Sequence, residues 1–201
     1  MPLLLSKPIS PHSSYAIWNI QETNEKLIAL HNAPHPKELH PTKLAEWLAT
    51  QILLKNVCQV FDINYKGIRK NEAGKPFLID SSAHISISHS FPMASVMINR
   101  YKACGVDLER QRSALLKIQH KFLHKEELIY ENDMDKLCAI WCAKEVLFKI
   151  HGRKELSLKD DLKIDFITEN RLTGYILKGG FEESFNLHYE PLKDYFLAYN
   201  I

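Results

Sequence analysis

The sequence predicts an α+β protein built on antiparallel sheet, and three observations predict it. Strand-like and helix-like segments come in the order strand, helix, strands, and then strand, helices, strands, rather than in regular βα alternation. Two stretches, near residues 41–58 and 133–151, carry apolar residues at helical spacing over several turns. The last forty residues are a succession of alternating runs separated by turn formers, which is the pattern of a meander.

Taken in order, SYAIWNI (14–20) alternates and is rich in aromatic and β-branched residues, so a strand is expected there. A short helix is expected from Glu22 to His31, followed by the proline-marked loop HNAPHPKELHP. In the helix that begins near Pro41 and runs to about Cys58, the helically spaced set is Leu44, Trp47, Leu48, Ile52 and Lys55. The polar stretch GIRKNEAGKP (67–76) is expected to be a loop. AHISISHS and MASVMI then form a hairpin that turns at Phe91-Pro92, and ACGVDLE (103–109) is a further strand. Helical segments are expected at 112–120 and 124–131. A long helix follows from Asp133 to His151, with Asp133 or Asp135 as cap and Gly152 as stop. LKIDFIT, LTGYILK, SFNLHYE and DYFLAYN complete the meander, with Asn170 and Gly179-Gly180 at its turns.

Composition narrows the function classes. Of 201 residues, 45% are hydrophobic and 25% charged, which is globular, and the net charge of +2 does not imply nucleic-acid binding. An anion site must therefore come from local clustering of basic residues. Cys58, Cys104, Cys138 and Cys142 form no Cys-x-x-Cys pair and read as reduced core cysteines. The leucine run of MPLLLSKPIS is too short for a secretory core, and no later run reaches membrane-spanning length. A cytoplasmic protein with no membrane partner is expected.

Three groups of residues carry candidate chemistry. In Gly105-Val106-Asp107-Leu108-Glu109 on a strand, Asp107 and Glu109 project from one face while Val106 and Leu108 face the core. Adjacent carboxylates repel unless a cation lies between them, and Mg2+ suits such a pair because water and phosphate complete its octahedron. The plainer reading is an exposed strand face with salt bridges to Arg110 or Arg112. In Trp141-Cys142-Ala143-Lys144-Glu145-Val146-Leu147-Phe148-Lys149, the residues Leu137, Ile140, Trp141 and Phe148 make an apolar stripe with Lys144 in its middle. A lysine there must reach an anion or water. Glu145 and Lys149 are an ordinary i, i+4 pair, and a bound phosphate would account for all three. Ser88-His89-Ser90 and the turn Gly74-Lys75-Pro76 supply further donors. Ser88 and His89 face opposite ways on a strand and cannot form a hydrolase pair, no Gly-x-Ser-x-Gly elbow is present, and Gly74-Lys75-Pro76 is not a P-loop.

GVDLE at 105–109, WCAKEVLFK at 141–149, the Gly-Lys-Pro turn, the Ser-His-Ser strand and KFLHKEE at 121–127 stand in the order and spacing of the phosphopantetheinyl transferase superfamily. The chain resembles its monomeric, Sfp-type branch from about residue 40 to 150. It departs in having Cys142 and Val146 where the family usually has Ser or Thr and Ala, and its amino-terminal third matches poorly. The resemblance implies a pseudo-twofold pair of α+β halves, about 1–100 and 101–201, each with a small antiparallel sheet packed on a long helix and with coenzyme A in the cleft. It implies Mg2+-dependent attack of a serine hydroxyl of an apo acyl, peptidyl or polyketide carrier protein on the β-phosphate of coenzyme A, releasing 3′,5′-ADP. Asp107, Glu109 and Glu145 would hold Mg2+. Lys144 and Lys149 would hold phosphate oxygens, Lys43, Lys75, Ser88 and His89 would contact coenzyme A, and Glu145 or Glu127 would be the base. The competing readings are a Mg2+-dependent phosphohydrolase, a coenzyme A-binding module without transfer, and a purely structural α+β protein.

Overall fold

A computed structural model describes residues 3–152 and 155–201. The chain divides into two compact units: residues 1–71 with 76–103, and residues 72–75 with 104–201. Lys75, placed by the sequence in the amino-terminal half, thus belongs to the second unit.

In the first unit, β1 (Leu3–Ser10), β2 (Ser13–Asn19), β5 (His84–Ser90) and β6 (Met93–Asn99) form an antiparallel sheet in the order β1-β2-β6-β5. Leu3–Ser10, read in the sequence only as too short for a secretory core, is an edge strand, paired with β2 from Ser10↔Ser13 to Leu3↔Trp18. Its Pro8 weakened the strand signal, and proline is tolerated at such an edge. The hairpin β5–β6 turns at Phe91-Pro92 as expected, with Ser90 opposite Met93. α1 (Asn24–His31) starts on the Thr23 hydroxyl, which accepts from Lys26 N, and ends at Asn32 in the left-handed region, φ 47°. α2 (Pro41–Val60) has proline in its first turn, where the missing N–H costs nothing, and packs on β2 and β6. Its Leu48, Leu53, Leu54 and Val57 meet Trp18, Ile85, Val96 and Ile98 in one core. Lys55, grouped with that stripe in the sequence, is exposed. The stretch expected to be a loop contains a small ribbon, β3 (Ile68–Lys70) with β4 (Pro76–Leu78). Three-residue strands are too short to show a period of two.

In the second unit, β7 (Val106–Arg110), β8 (Leu162–Phe166), β9 (Arg171–Lys178), β10 (Phe181–Leu192) and β11 (Tyr195–Asn200) form an antiparallel sheet in the order β7-β11-β10-β9-β8. Gly179 and Gly180, at φ 62° and 79°, turn β9 into β10, a conformation that favours glycine at both central positions. α3 (Ala114–Ile118) is shorter than expected, and residues 125–130 form a 3₁₀ segment rather than an α-helix. α4 (Met134–His151) packs on the strands of this sheet, capped by the Asp133 carboxylate at Lys136 N and ended by Gly152 at φ 97°. The Lys75 ammonium donates to Ile150 O, 3.0 Å away, in the last turn, where a cation complements the helix dipole.

Candidate functional site

β7 enters the sheet at Gly105, whose N–H donates to Asn200 Oδ1 at 2.8 Å. A Cβ on Gly105 would lie 2.6 Å from Val146 O and 2.9 Å from Val146 Cγ1. Only glycine lets the strand come this close to α4, so the glycine of GVDLE sets the approach of the strand carboxylates to the helix bearing Glu145 and Lys149. This role of Gly105 is not legible in the sequence, because close backbone approach leaves no mark besides the glycine itself.

Asp107 is 3% exposed, so the exposed-face reading of β7 fails for it. Lys149, also buried, reaches across from α4 and donates to Asp107 Oδ1 at 2.7 Å and to Val106 O at 2.8 Å. Glu109 is half-buried, with Arg112 Nη2 3.7 Å from its Oε2. Burial and then the negative charge of Asp107 push the Glu109 carboxyl up, against the pull of Arg112, the Trp141 indole and Lys149. Burial, with Asp107 and Glu109 next, also holds the Cys142 thiol well above its ordinary value. Both shifts come first from burial, with the neighbouring carboxylates adding to it.

Lys144 resolves differently from the sequence expectation of a phosphate contact. Its side chain is wholly enclosed, and its three N–H donors are shared among four oxygens: Glu127 Oε2 at 2.7 Å and the carbonyls of Phe122, Leu158 and Leu162 at 2.7, 2.9 and 2.7 Å. The anion that its place in an apolar stripe demanded is Glu127, inside the protein. Glu127, 1% exposed, also accepts from His124 N through Oε2 and from Ile164 N through Oε1, each at 2.7 Å. Burial pushes the Lys144 ammonium down to about 8, while Glu127 and then Asp160 draw it back up. In this arrangement Lys144 and Glu127 fasten α4 to the segments around residues 122–127 and 158–164. Both charged groups are met by partners within the protein.

Glu145 is half-buried on α4, one turn before Lys149. The expected set of three metal carboxylates is not gathered: among the described residues, no group of three or more His, Cys, Asp or Glu side chains is placed to hold a metal ion. Asp107 and Glu109 are of the donor type that Mg2+ takes, since that ion needs only one or two carboxylates.

In the first unit, Ser88 is buried on β5 and His89 beside it is exposed, which agrees with their opposite directions on a strand. Lys43, in the first turn of α2, lies 2.7 Å from Glu46 Oε2, and His89 Nδ1 lies 3.4 Å from the same oxygen. Glu46 was not singled out in the sequence. Its i, i+3 spacing from Lys43 was the available signal, but surface lysines make such pairs routinely.

The model of the 4′-phosphopantetheinyl transferase superfamily matches residues 103–200. A 4′-phosphopantetheinyl transferase gsp of Aneurinibacillus migulanus is 30% identical over 148 residues, which is 68% of this chain and 60% of that relative. The alignment therefore leaves about two fifths of the relative unmatched. The superfamily match takes in β7 with its carboxylates, α4 with Lys144, Glu145 and Lys149, and the whole sheet of the second unit, and on these grounds the chain belongs to the 4′-phosphopantetheinyl transferase superfamily.

Proposed function

We propose that the protein is a holo-carrier-protein synthase. It moves 4′-phosphopantetheine from coenzyme A to a serine hydroxyl of an apo carrier protein and releases 3′,5′-ADP. The observation that carries this reading is the buried Asp107–Lys149 pair beside Glu109, within the part of the chain matched by the superfamily.

In the reaction the serine Oγ attacks the β-phosphorus of coenzyme A. A new P–O bond forms, the bond from that phosphorus to the oxygen bridging to the α-phosphate breaks, and its electron pair leaves with 3′,5′-ADP. Such a transfer asks the protein chiefly for positioning and charge neutralisation. Asp107 and Glu109 would hold Mg2+, with Glu145 as a further candidate ligand. Mg2+, when bound, supplies charge neutralisation at the diphosphate oxygens. Lys149 spends two of its three N–H donors on Val106 O and Asp107, which fixes its ammonium and leaves one for a phosphate oxygen. Glu145 is favoured over Glu127 as acceptor of the serine proton, because Glu127 is enclosed and already accepts three hydrogen bonds. Lys43, Lys75, Ser88 and His89 are the candidate donors to the nucleotide and phosphates of coenzyme A. We place the protein in the cytoplasm as a monomer; among the described residues no helix is long and apolar enough to cross a membrane.

Intact-protein mass spectrometry of apo acyl and peptidyl carrier proteins, incubated with the protein, coenzyme A and Mg2+, tests the reading. The expected result is a gain of one phosphopantetheine that EDTA prevents. No gain on any carrier, with coenzyme A still bound, would replace transfer by binding alone.

A further inference from the structure

Glu46 has surroundings unlike those of the protein's other buried carboxylates. It is 3% exposed, yet the cations that meet it face solvent: the Lys43 and His89 side chains are 60% and 41% exposed. Both approach a single oxygen, Oε2, Lys43 Nζ at 2.7 Å and His89 Nδ1 at 3.4 Å. Lys43 comes from the first turn of α2 and His89 from the far end of β5, residues distant in sequence and both basic.

An exposed lysine samples many rotamers, and two neighbouring cations repel. A buried carboxylate that grips both removes each difficulty. It holds Lys43 by one N–H, leaving two donors for other partners. Its Oε2, 3.4 Å from Nδ1 of His89, orients the ring. Lys43 and His89 are then two N–H donors held side by side, and such donors suit a phosphate group. We propose that Glu46 is a positioning residue that sets Lys43 and His89 as a paired donor for a phosphate of coenzyme A. This rests on the transferase reading, which supplies the ligand.

The test uses the whole chain. Glu46→Gln keeps the shape of the side chain and removes its charge. Coenzyme A binding by calorimetry and steady-state transfer to a carrier protein are measured for wild type and variant, with thermal melts alongside. The expected outcome is a rise of about tenfold in both Kd and KM for coenzyme A with kcat nearly unchanged. In a Lys43→Met/His89→Gln background, adding Glu46→Gln should change KM no further. A role in folding alone would lower the melting temperature and leave KM where it was, overturning the proposal. An equal rise in KM with both partners already removed would overturn it too. If Glu46→Gln does not fold, Glu46→Asp, which keeps the charge and shortens its reach, is held to the same criteria. Wild type that binds no coenzyme A would overturn the transferase reading and this inference together, whereas unaltered binding by a folded Glu46→Gln protein would remove only the inference.

Discussion

Replacing Lys144 by methionine should unfold the protein more readily rather than merely slow it. Methionine fills a similar volume but removes the ammonium that meets Glu127 and three carbonyl oxygens. Breaking a buried ion pair from one side costs about 3–5 kcal/mol, because the other charge stays buried. Glu127 would keep only its bonds from His124 N and Ile164 N, and each stranded carbonyl adds to the loss. Taking the ion-pair cost alone, at roughly 2–4 °C per kcal/mol for a chain of this size, the melting temperature should fall by about 6–20 °C. Urea or thermal unfolding followed by circular dichroism reads the change. Lys144→Met/Glu127→Leu, which removes both charges, should recover part of it. A Lys144→Met protein as stable as wild type but inactive would refute the reasoning and return Lys144 to the ligand.

Lys149→Met should abolish transfer and also lower stability, since it leaves the buried Asp107 without its ammonium; mass spectrometry of the carrier and a thermal melt separate the two effects. Gly105→Ala should cost about 1–3 kcal/mol in urea unfolding, because its methyl would press on the Val146 carbonyl. Burial raises the Cys58 and Cys138 thiols from 9.0 to about 11, so iodoacetamide at pH ~8 should label neither until the protein is denatured. The same two thiols remain protonated in the folded chain while ionising in the unfolded one, so their contribution to stability should fall as pH rises from 9.0 towards 11, which an alkaline unfolding series would show.

The long helices and the hairpin at Phe91-Pro92 were legible because apolar periodicity and turn chemistry are local. β1 and the β3–β4 ribbon were not, since an edge proline and three-residue strands erase the alternation on which a strand assignment depends. At the site, the strand carboxylates and the Lys-Glu helix could be named from residue type and spacing. The direction in which each charge is spent could not. Lys144 and Lys149 are five apart on one helix, yet one ammonium is enclosed with Glu127 and the other is paired with Asp107. Both partners are remote in sequence, and only the folded chain decides which carboxylate each lysine meets. Glu46 was missed for the same reason, because its link to His89 joins a helix to a strand.

The placement of residues 72–75 in the second unit, with first-unit chain on either side, has a practical consequence for dissection. No single cut separates the two units along the polypeptide. A fragment starting at Cys104 would carry all of α4 and its sheet but would lose Lys75, and with it the cation at Ile150 O. Expressing that fragment is therefore a truncation and a helix-end mutation at once. Failure of the fragment to fold would not show that the second unit depends on the first until those four residues had been grafted back.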